Sequence, residues 1–236
     1  NAAARVGGIH ANSTYPFQFI SENLIMQYNL IKLAHDFNIK KFIFLGSSCI
    51  YPKFSKQPIT ENSLLTGSLE QTNEWYAIAK IAGIKMIESL RNQFNRDYVS
   101  LMPTNLYGPH DNFDLKTSHV LPSLIRKFHD AKITNSNTVE LWGSGTPLRE
   151  FMHVDDLADS IIFCLQKTLP HSIYNIGFGK EISISDLALM VKDLIGFKGK
   201  IEWNSTMPDG TPRKLMDSSR IKQLGWKPKI NLKDGI

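Results

Sequence analysis

The chain has 236 residues, 42% of them apolar and 21% charged, with a formal net charge of +5. This is an ordinary globular composition, sufficient for one large unit or a main unit with a smaller one. No run of 18 apolar residues occurs, so no membrane-spanning segment is expected. The basic residues form no stripe interleaved with aromatics, so nucleic-acid binding is not expected either. Cys49 and Cys164 are the two cysteines, too few for a disulfide framework. With no signal-like apolar stretch near Asn1, they point to a reducing, cytoplasmic setting.

Residues 1–12 read as a loop of small residues in which Gly7 and Gly8 let the backbone approach a neighbour closely. From about Phe17 to Phe37, the spacing of Phe19, Ile20, Leu24, Ile25, Tyr28, Leu30, Ile31 and Leu33 predicts a long helix, apolar on more than one side. Lys41 to Gly46 reads as a strand, and 51–73 as an irregular loop. A helix capped by Thr72 or Asn73 then runs to about Phe94. Asp97 to Met102 is the next strand, followed by a polar loop over 109–118. A helix follows over Val120–Lys132, then a strand over Val139–Trp142 and a glycine-rich loop over 143–150. Acids in the first turn mark a helix from Val154 or Asp155 to Lys167, with Cys164 among its core positions. A strand over 172–179, a helix begun by Ser183 or Ser185, a short strand at Ile201–Trp203, a loop over 207–214 and a short helix before Gly225 complete the chain. Alternation of strand and helix predicts an α/β fold with parallel pairing. Shorter elements after about Ile133 suggest two units, 1–132 and 133–236, with a possible crossover from the second back to the sheet.

The chemistry centres on SSCIYP (Ser47–Pro52) and YAIAK (Tyr76–Lys80). An apolar strand ending in hydroxyls is the form of a buried parallel strand opening into a site. Tyr76 and Lys80 lie one helical turn apart and share a face. A lysine ammonium beside a phenol favours the phenolate, so Tyr76 would exchange a proton near neutrality while Ser47 binds the same substrate oxygen. The alternative is a chance pairing of a surface lysine with a half-buried tyrosine. Cys49, two residues beyond Ser47, is either a proton-exchanging thiol or a small buried apolar residue. His119 is an acid/base candidate or a helix cap. A hydrolase is disfavoured because Gly46-Ser47-Ser48-Cys49 lacks the second glycine of a nucleophile elbow. His110, Asp111, Asp114 and His119 match no metal spacing, so no metal is expected. Arg149, in the glycine-rich loop after Trp142, suits bidentate phosphate contact beside a stacking ring. Arg126, Lys127, Arg213 and Lys214 are weaker phosphate candidates, each equally readable as solvated surface.

Taken together, SSCIYP, YAIAK, PTNLYGP (Pro103–Pro109), His119 and GTPLREF with HVDD resemble the extended short-chain dehydrogenase/reductases and, among them, the GDP-L-fucose synthases. That resemblance implies a Rossmann-like parallel sheet with a smaller C-terminal α/β substrate unit. It also implies NADPH-dependent 3,5-epimerisation and 4-keto reduction of a GDP-4-keto-6-deoxy sugar. Ser47, Tyr76 and Lys80 match the family's reductase triad, and Cys49 and His119 its epimerisation pair. Ala3, Ala4, Leu45, Gly46, Pro103, Asn105 and Leu106, with Ser47, Tyr76, Lys80 and His119, match NADP(H) contacts. Val6, Gly7, Gly8, Ser48, Cys49, Asn105, Val120, Lys127, Trp142, Arg149 and Lys214 match nucleotide-sugar contacts.

The glycine-rich dinucleotide loop, GxxGxxG, does not occur in the chain. In the family's pattern it precedes the segment at 1–8, together with the residues that choose NADP over NAD. The resemblance therefore implies a chain beginning after the fourth strand and clipped at Lys233–Ile236. Such a piece is expected to lack half of its cofactor cradle and, alone, its activity. The same residues fit two other readings. One is another nucleotide-sugar epimerase or dehydratase of the family; the other is an inactive scaffold whose long helices pair with a second copy. The apolar excess of the helices at 17–37 and 74–94 predicts a homodimer.

Overall fold

In a computed structural model, which describes residues 1–207 and 209–236, the chain starts with two helices, α1 (Ile9–Thr14) and α2 (Pro16–Asp36). Next come β1 (Lys41–Leu45), α3 (Glu74–Phe94), β2 (Asp97–Pro103) and β3 (Asn105–Tyr107). Helix α4 (Val120–Ile133) leads to β4 (Thr138–Trp142) and β5 (Leu148–His153), and α5 (Val154–Leu165) to β6 (Ile173–Ile176) and β7 (Glu181–Ser183). The chain ends with α6 (Ile184–Ile195), β8 (Lys200–Asn204), β9 (Arg213–Lys214), α7 (Ser219–Gln223) and α8 (Leu232–Gly235).

The central sheet has the order β1-β2-β6 and is parallel throughout, with Leu45 opposite Leu101 and Pro103 opposite Ile176. The strand at 172–179 thus returns to the sheet of the first half. Side chains alternate across the sheet: Tyr98 and Met102 join one apolar cluster with α2 and α3, while Val99 and Leu101 join another with α5 and α7. This is a Rossmann-like α/β arrangement, covered on both faces as parallel sheets require. A further cluster lies between α4, α6, β4 and β8, so α4 packs its Leu121, Leu124 and Phe128 with elements after residue 133. β3 and β9 run parallel to β5 while β7 runs antiparallel to it.

Several boundaries differ from expectation for local reasons. Helix α1 begins inside the segment expected as a loop. Pro16 starts α2 at its first position, where a missing N–H costs nothing. Strand β5 begins inside the expected 143–150 loop, and β3, β7 and β9, of two or three residues, are too short to display alternation. Past the expected strand, Ser48–Ile50 forms a 3-10 turn whose start is capped by the Ser47 hydroxyl. Asn73 does not cap α3 through its side chain. Of the expected loop at 207–214, Pro208 lies outside the described residues, and its last two residues form β9.

Helices α2 and α3 pack closely because of Gly83. A Cβ there would come within 2.6 Å of Phe44 and 2.9 Å of the Gln27 carboxamide. Their outward faces keep apolar side chains in solvent, with Ile25 61% and Leu33 49% exposed on α2. No helix among the described residues is long and apolar enough to cross a membrane.

Candidate active site

The carboxyl ends of β1 and β2 open into a cavity of about 830 Å³, in the upper part of the usual size range for small-molecule sites. Crevices at the carboxyl ends of parallel strands are where such sheets bind ligands. β1 brings Leu45, Gly46 and Ser47 to its wall. Gly46 leaves room there for the Met102 side chain, since a Cβ would lie 2.4 Å from its sulfur. The turn after it swings Cys49 round to face the same space, and the Ser47 hydroxyl accepts from the Cys49 amide at 3.2 Å.

Helix α3 supplies Tyr76 and Lys80 to the cavity wall. Phe19 of α2 meets the Tyr76 ring edge-on at a centroid distance of 6.4 Å. The Lys80 ammonium is buried, 4.8 Å from the centre of the Phe44 ring and 5.7 Å from that of Tyr76. It donates to the Leu45 carbonyl at 2.8 Å. Burial lowers its pKa to about 8. The expectation that Lys80 pulls the Tyr76 phenol down is not met in this structure. Burial pushes Tyr76 up, the nearby Cys49 adds to the rise, and the Ser47 hydroxyl opposes it. Desolvation of the phenolate outweighs a cation that is itself desolvated and bonded elsewhere.

Cys49 Sγ receives two donors, the Asn73 Nδ2 at 3.4 Å and the Lys214 Nζ at 3.6 Å. His119, at the start of α4, lines the same cavity but stays open to solvent at its mouth. Desolvation by the surrounding wall lowers its pKa, Asp111 opposes that, and Lys214 adds to it. Gly7, Gly8 and Ser118 also line the cavity, and the two segments are joined just behind it by the Gly8 amide donating to the Thr117 carbonyl at 3.1 Å.

Farther along, the cavity is basic and aromatic. Lys127 Nζ sits 5.8 Å from the centre of the Trp142 ring and donates to the Glu140 carbonyl. Arg149 donates to the Leu148 and Asp209 carbonyls, and burial lowers its pKa. Asp209 also accepts from the Ser144 amide and hydroxyl, at 2.8 Å each, which ties the 143–146 turn to the segment beneath Arg149. Gly143 leaves room for that carboxylate, because a Cβ would stand 2.3 Å from Asp209 Oδ1.

Behind this wall, the fully buried Glu150 carboxylate accepts from the Gly179 amide at 2.5 Å and the Met216 amide at 3.0 Å. Its backbone carbonyl accepts from Thr104 and Asn105. One residue thus braces Asn105 on one side and the strand carrying Lys214 on the other.

Of the site residues expected from the sequence, Ser47, Ser48, Cys49, Tyr76, Lys80, His119, Ala4, Val6, Gly7 and Gly8 line the cavity. So do Leu45, Gly46, Pro103, Asn105, Leu106, Val120, Lys127, Trp142, Arg149 and Lys214. Ala3 is exposed and lies outside that lining. Arg126 and Arg213 are also outside it, paired with Asp130 and Glu181. Nothing in the sequence marks Asn73, Asp209 or Glu150 as a participant. Asn73 stands just before the helix bearing Tyr76 and read only as a cap, while the other two act across long sequence separations that leave no local pattern. Among the described residues no group of three His, Cys, Asp or Glu lies close enough to hold a metal ion.

The donor set suits a nicotinamide nucleotide. Lys80 has three N–H groups and uses one on Leu45, leaving two for a ribose diol beside the Tyr76 phenol.

The model of the NAD dependent epimerase/dehydratase family matches residues 1–177. GDP-L-fucose synthase 1 of Arabidopsis thaliana is 59% identical over 235 residues, spanning 100% of this chain and 73% of the relative. The GDP-L-fucose synthase of Escherichia coli K12 is 51% identical over 246 residues, spanning 100% of this chain and 76% of the relative. Among solved structures, a GDP-mannoheptose C4 reductase from Campylobacter jejuni with NADP bound superposes with a TM-score of 0.87 at 38% identity. That match covers 99% of this chain and 78% of the other.

Proposed function

The chain belongs to the NAD dependent epimerase/dehydratase family, in its GDP-L-fucose synthase branch, and on that premise we propose that it converts GDP-4-keto-6-deoxy-D-mannose to GDP-L-fucose by 3,5-epimerisation and 4-keto reduction. The observation that carries this reading is the convergence of Ser47, Cys49, Tyr76, Lys80 and His119 on one cavity, so both halves of the chemistry have their groups around a single sugar.

When bound, NADPH supplies the hydride for C4. Lys80 holds the ribose hydroxyls with the two donors that Leu45 leaves free. Ser47 and Tyr76 bind the C4 oxygen. That contact stabilises enolate charge during epimerisation, and Tyr76 then donates its proton to the same oxygen during reduction. Burial keeps the phenol protonated at neutral pH, the form a donor needs. Cys49 and His119 move protons at C3 and C5, which the neighbouring ketone acidifies. Trp142 with Lys127 offers a stacking face for the base, and Arg149 and Lys214 offer charge for the diphosphate.

The reading extends to organisation. Residues 1–132 hold mainly the cofactor and catalytic groups, and 133–236 mainly the nucleotide-sugar groups. Two copies pair through the exposed apolar faces of α2 and α3. Two free cysteines suit a reducing, cytoplasmic location.

The test is incubation of the protein with GDP-4-keto-6-deoxy-D-mannose and NADPH in heavy water, read by NMR. Deuterium at C3 and C5 of a GDP-L-fucose product is the expected result. Reduced product without deuterium at either carbon would overturn the epimerase half.

A further inference from the structure

We propose that Lys214 is a positioning residue for the proton transfers at carbon, holding the Cys49 sulfur and stabilising the negative charge it carries as a base. This rests on the functional reading above, in which Cys49 exchanges a proton with the sugar. Lys214 and Cys49 are 165 residues apart in the chain, yet Nζ and Sγ are 3.6 Å apart.

The lysine is held in place by its backbone. Strand β9 pairs Lys214 with Arg149 of β5. The Gln57 carboxamide brackets it, donating to the Arg213 carbonyl at 3.2 Å and accepting from the Leu215 amide at 2.9 Å. Two residues along, the Met216 amide is fixed by the buried Glu150 carboxylate. A cation whose role ended at a flexible phosphate would not need such bracing.

The sulfur's surroundings agree with this role. Asn73 Nδ2 is a second donor to it, and two converging donors match an anionic sulfur better than a neutral thiol. The same ammonium also acts against protonation of His119. When Cys49 takes a proton from a sugar carbon, the C–H bond breaks and an S–H bond forms. The C–H electron pair passes to the C4 oxygen, and negative charge leaves the sulfur for that oxygen. Inversion then needs a proton delivered to the other face by protonated His119: the enolate electron pair re-forms the C–H bond, His119 is left neutral, and loss of the thiol proton to solvent restores the negative charge on the sulfur, beside Lys214.

Alkylation of the ligand-free protein by iodoacetamide reads this relationship without turnover, because Cys164 is fully buried and Cys49 is not. Lys214→Met should slow alkylation near neutral pH about tenfold, and Lys214→Arg should keep most of the rate. Arg213→Gln, next to it but paired with Glu181 outside the cavity, should leave the rate unchanged. Deuterium exchange at the substrate carbons should fall with alkylation in Lys214→Met. Lys214→Gln serves as the neutral variant if the methionine protein does not fold. Normal alkylation in a folded neutral variant that binds GDP more weakly would overturn the proposal, leaving Lys214 as a nucleotide contact only. If alkylation slows but a Cys49→Ser enzyme still exchanges both protons, the Lys214–Cys49 contact stands. In that case the functional reading of Cys49 fails, and the proposal falls with it.

Discussion

The Lys80 ammonium, buried beneath Tyr76, donates to the Leu45 carbonyl at 2.8 Å. This contact fastens the catalytic helix α3 to the end of β1 and places a charge where little solvent reaches it. Burial lowers the lysine pKa from its ordinary 10.5 to about 8. Between those values the unfolded chain binds more protons than the folded one, so stability rises with pH across that window. The burial penalty is fully present below pH 8 and gone above the unfolded pKa. Lys80→Met should therefore stabilise the ligand-free protein at pH 7 by roughly 1 to 2 kcal/mol, after allowing for the lost hydrogen bond. The gain should shrink toward pH 10.5 and reverse beyond it. Thermal unfolding at several pH values measures this, and a destabilised variant at pH 7 would contradict it. The same variant should lose activity and bind NADPH more weakly.

Tyr76→Phe removes the transferable proton while retaining the ring that packs on Phe19. Reduction of the 4-keto sugar should fall below about a tenth of the normal rate with NADPH binding nearly unchanged. Stopped-flow absorbance and a binding titration separate the two. A variant reducing at the normal rate would exclude Tyr76 as the acid.

Cys49→Ser should separate the two reactions. A serine hydroxyl is too weak an acid to replace the thiol, so GDP-L-fucose formation should drop about a hundredfold or more. Tyr76 and Ser47 remain, so the unepimerised ketone should still be reduced, giving a GDP-6-deoxy-hexose of the D series. His119→Gln should also lose the L-fucose product and retain a single epimerisation if it serves only one carbon. Product NMR distinguishes these outcomes.

Glu150→Gln tests the brace behind the site. The carboxylate accepts from two backbone amides in a fully buried position, and a carboxamide turns one of those acceptors into a donor. The cost should be about 1 to 3 kcal/mol in denaturant unfolding. GDP affinity should fall with it, since the segment bearing Lys214 loosens. A variant as stable as the parent would show that the segment is held by its strand pairing alone.

The apolar face of α2 gives the last prediction. Ile25→Asp together with Leu33→Asp, both at exposed positions, should leave the fold intact and convert a dimer into a monomer in sedimentation at micromolar concentration. A wild-type protein that sediments as a monomer there would refute the homodimer.

By itself the sequence determined the elements whose periodicity is long: α2, α3 and α4, the buried runs of β1 and β2, and the Tyr76–Lys80 pair one turn apart on a single helix. Periodicity and i, i+4 spacing are local, so they survive in the linear chain. The short strands β3, β7 and β9 exist only because β5 stands beside them, and no pattern of two or three residues announces them. Tertiary structure also decided the electrostatics. The sequence placed Lys80 beside Tyr76 and implied a lowered phenol, but burial, which depends on how α2 and α3 close over β1, pushed the phenol up instead. Asn73 and Lys214 meet at Cys49 from 24 and 165 residues away. Contacts over such separations are fixed by sheet order and loop packing, which residue types alone do not encode.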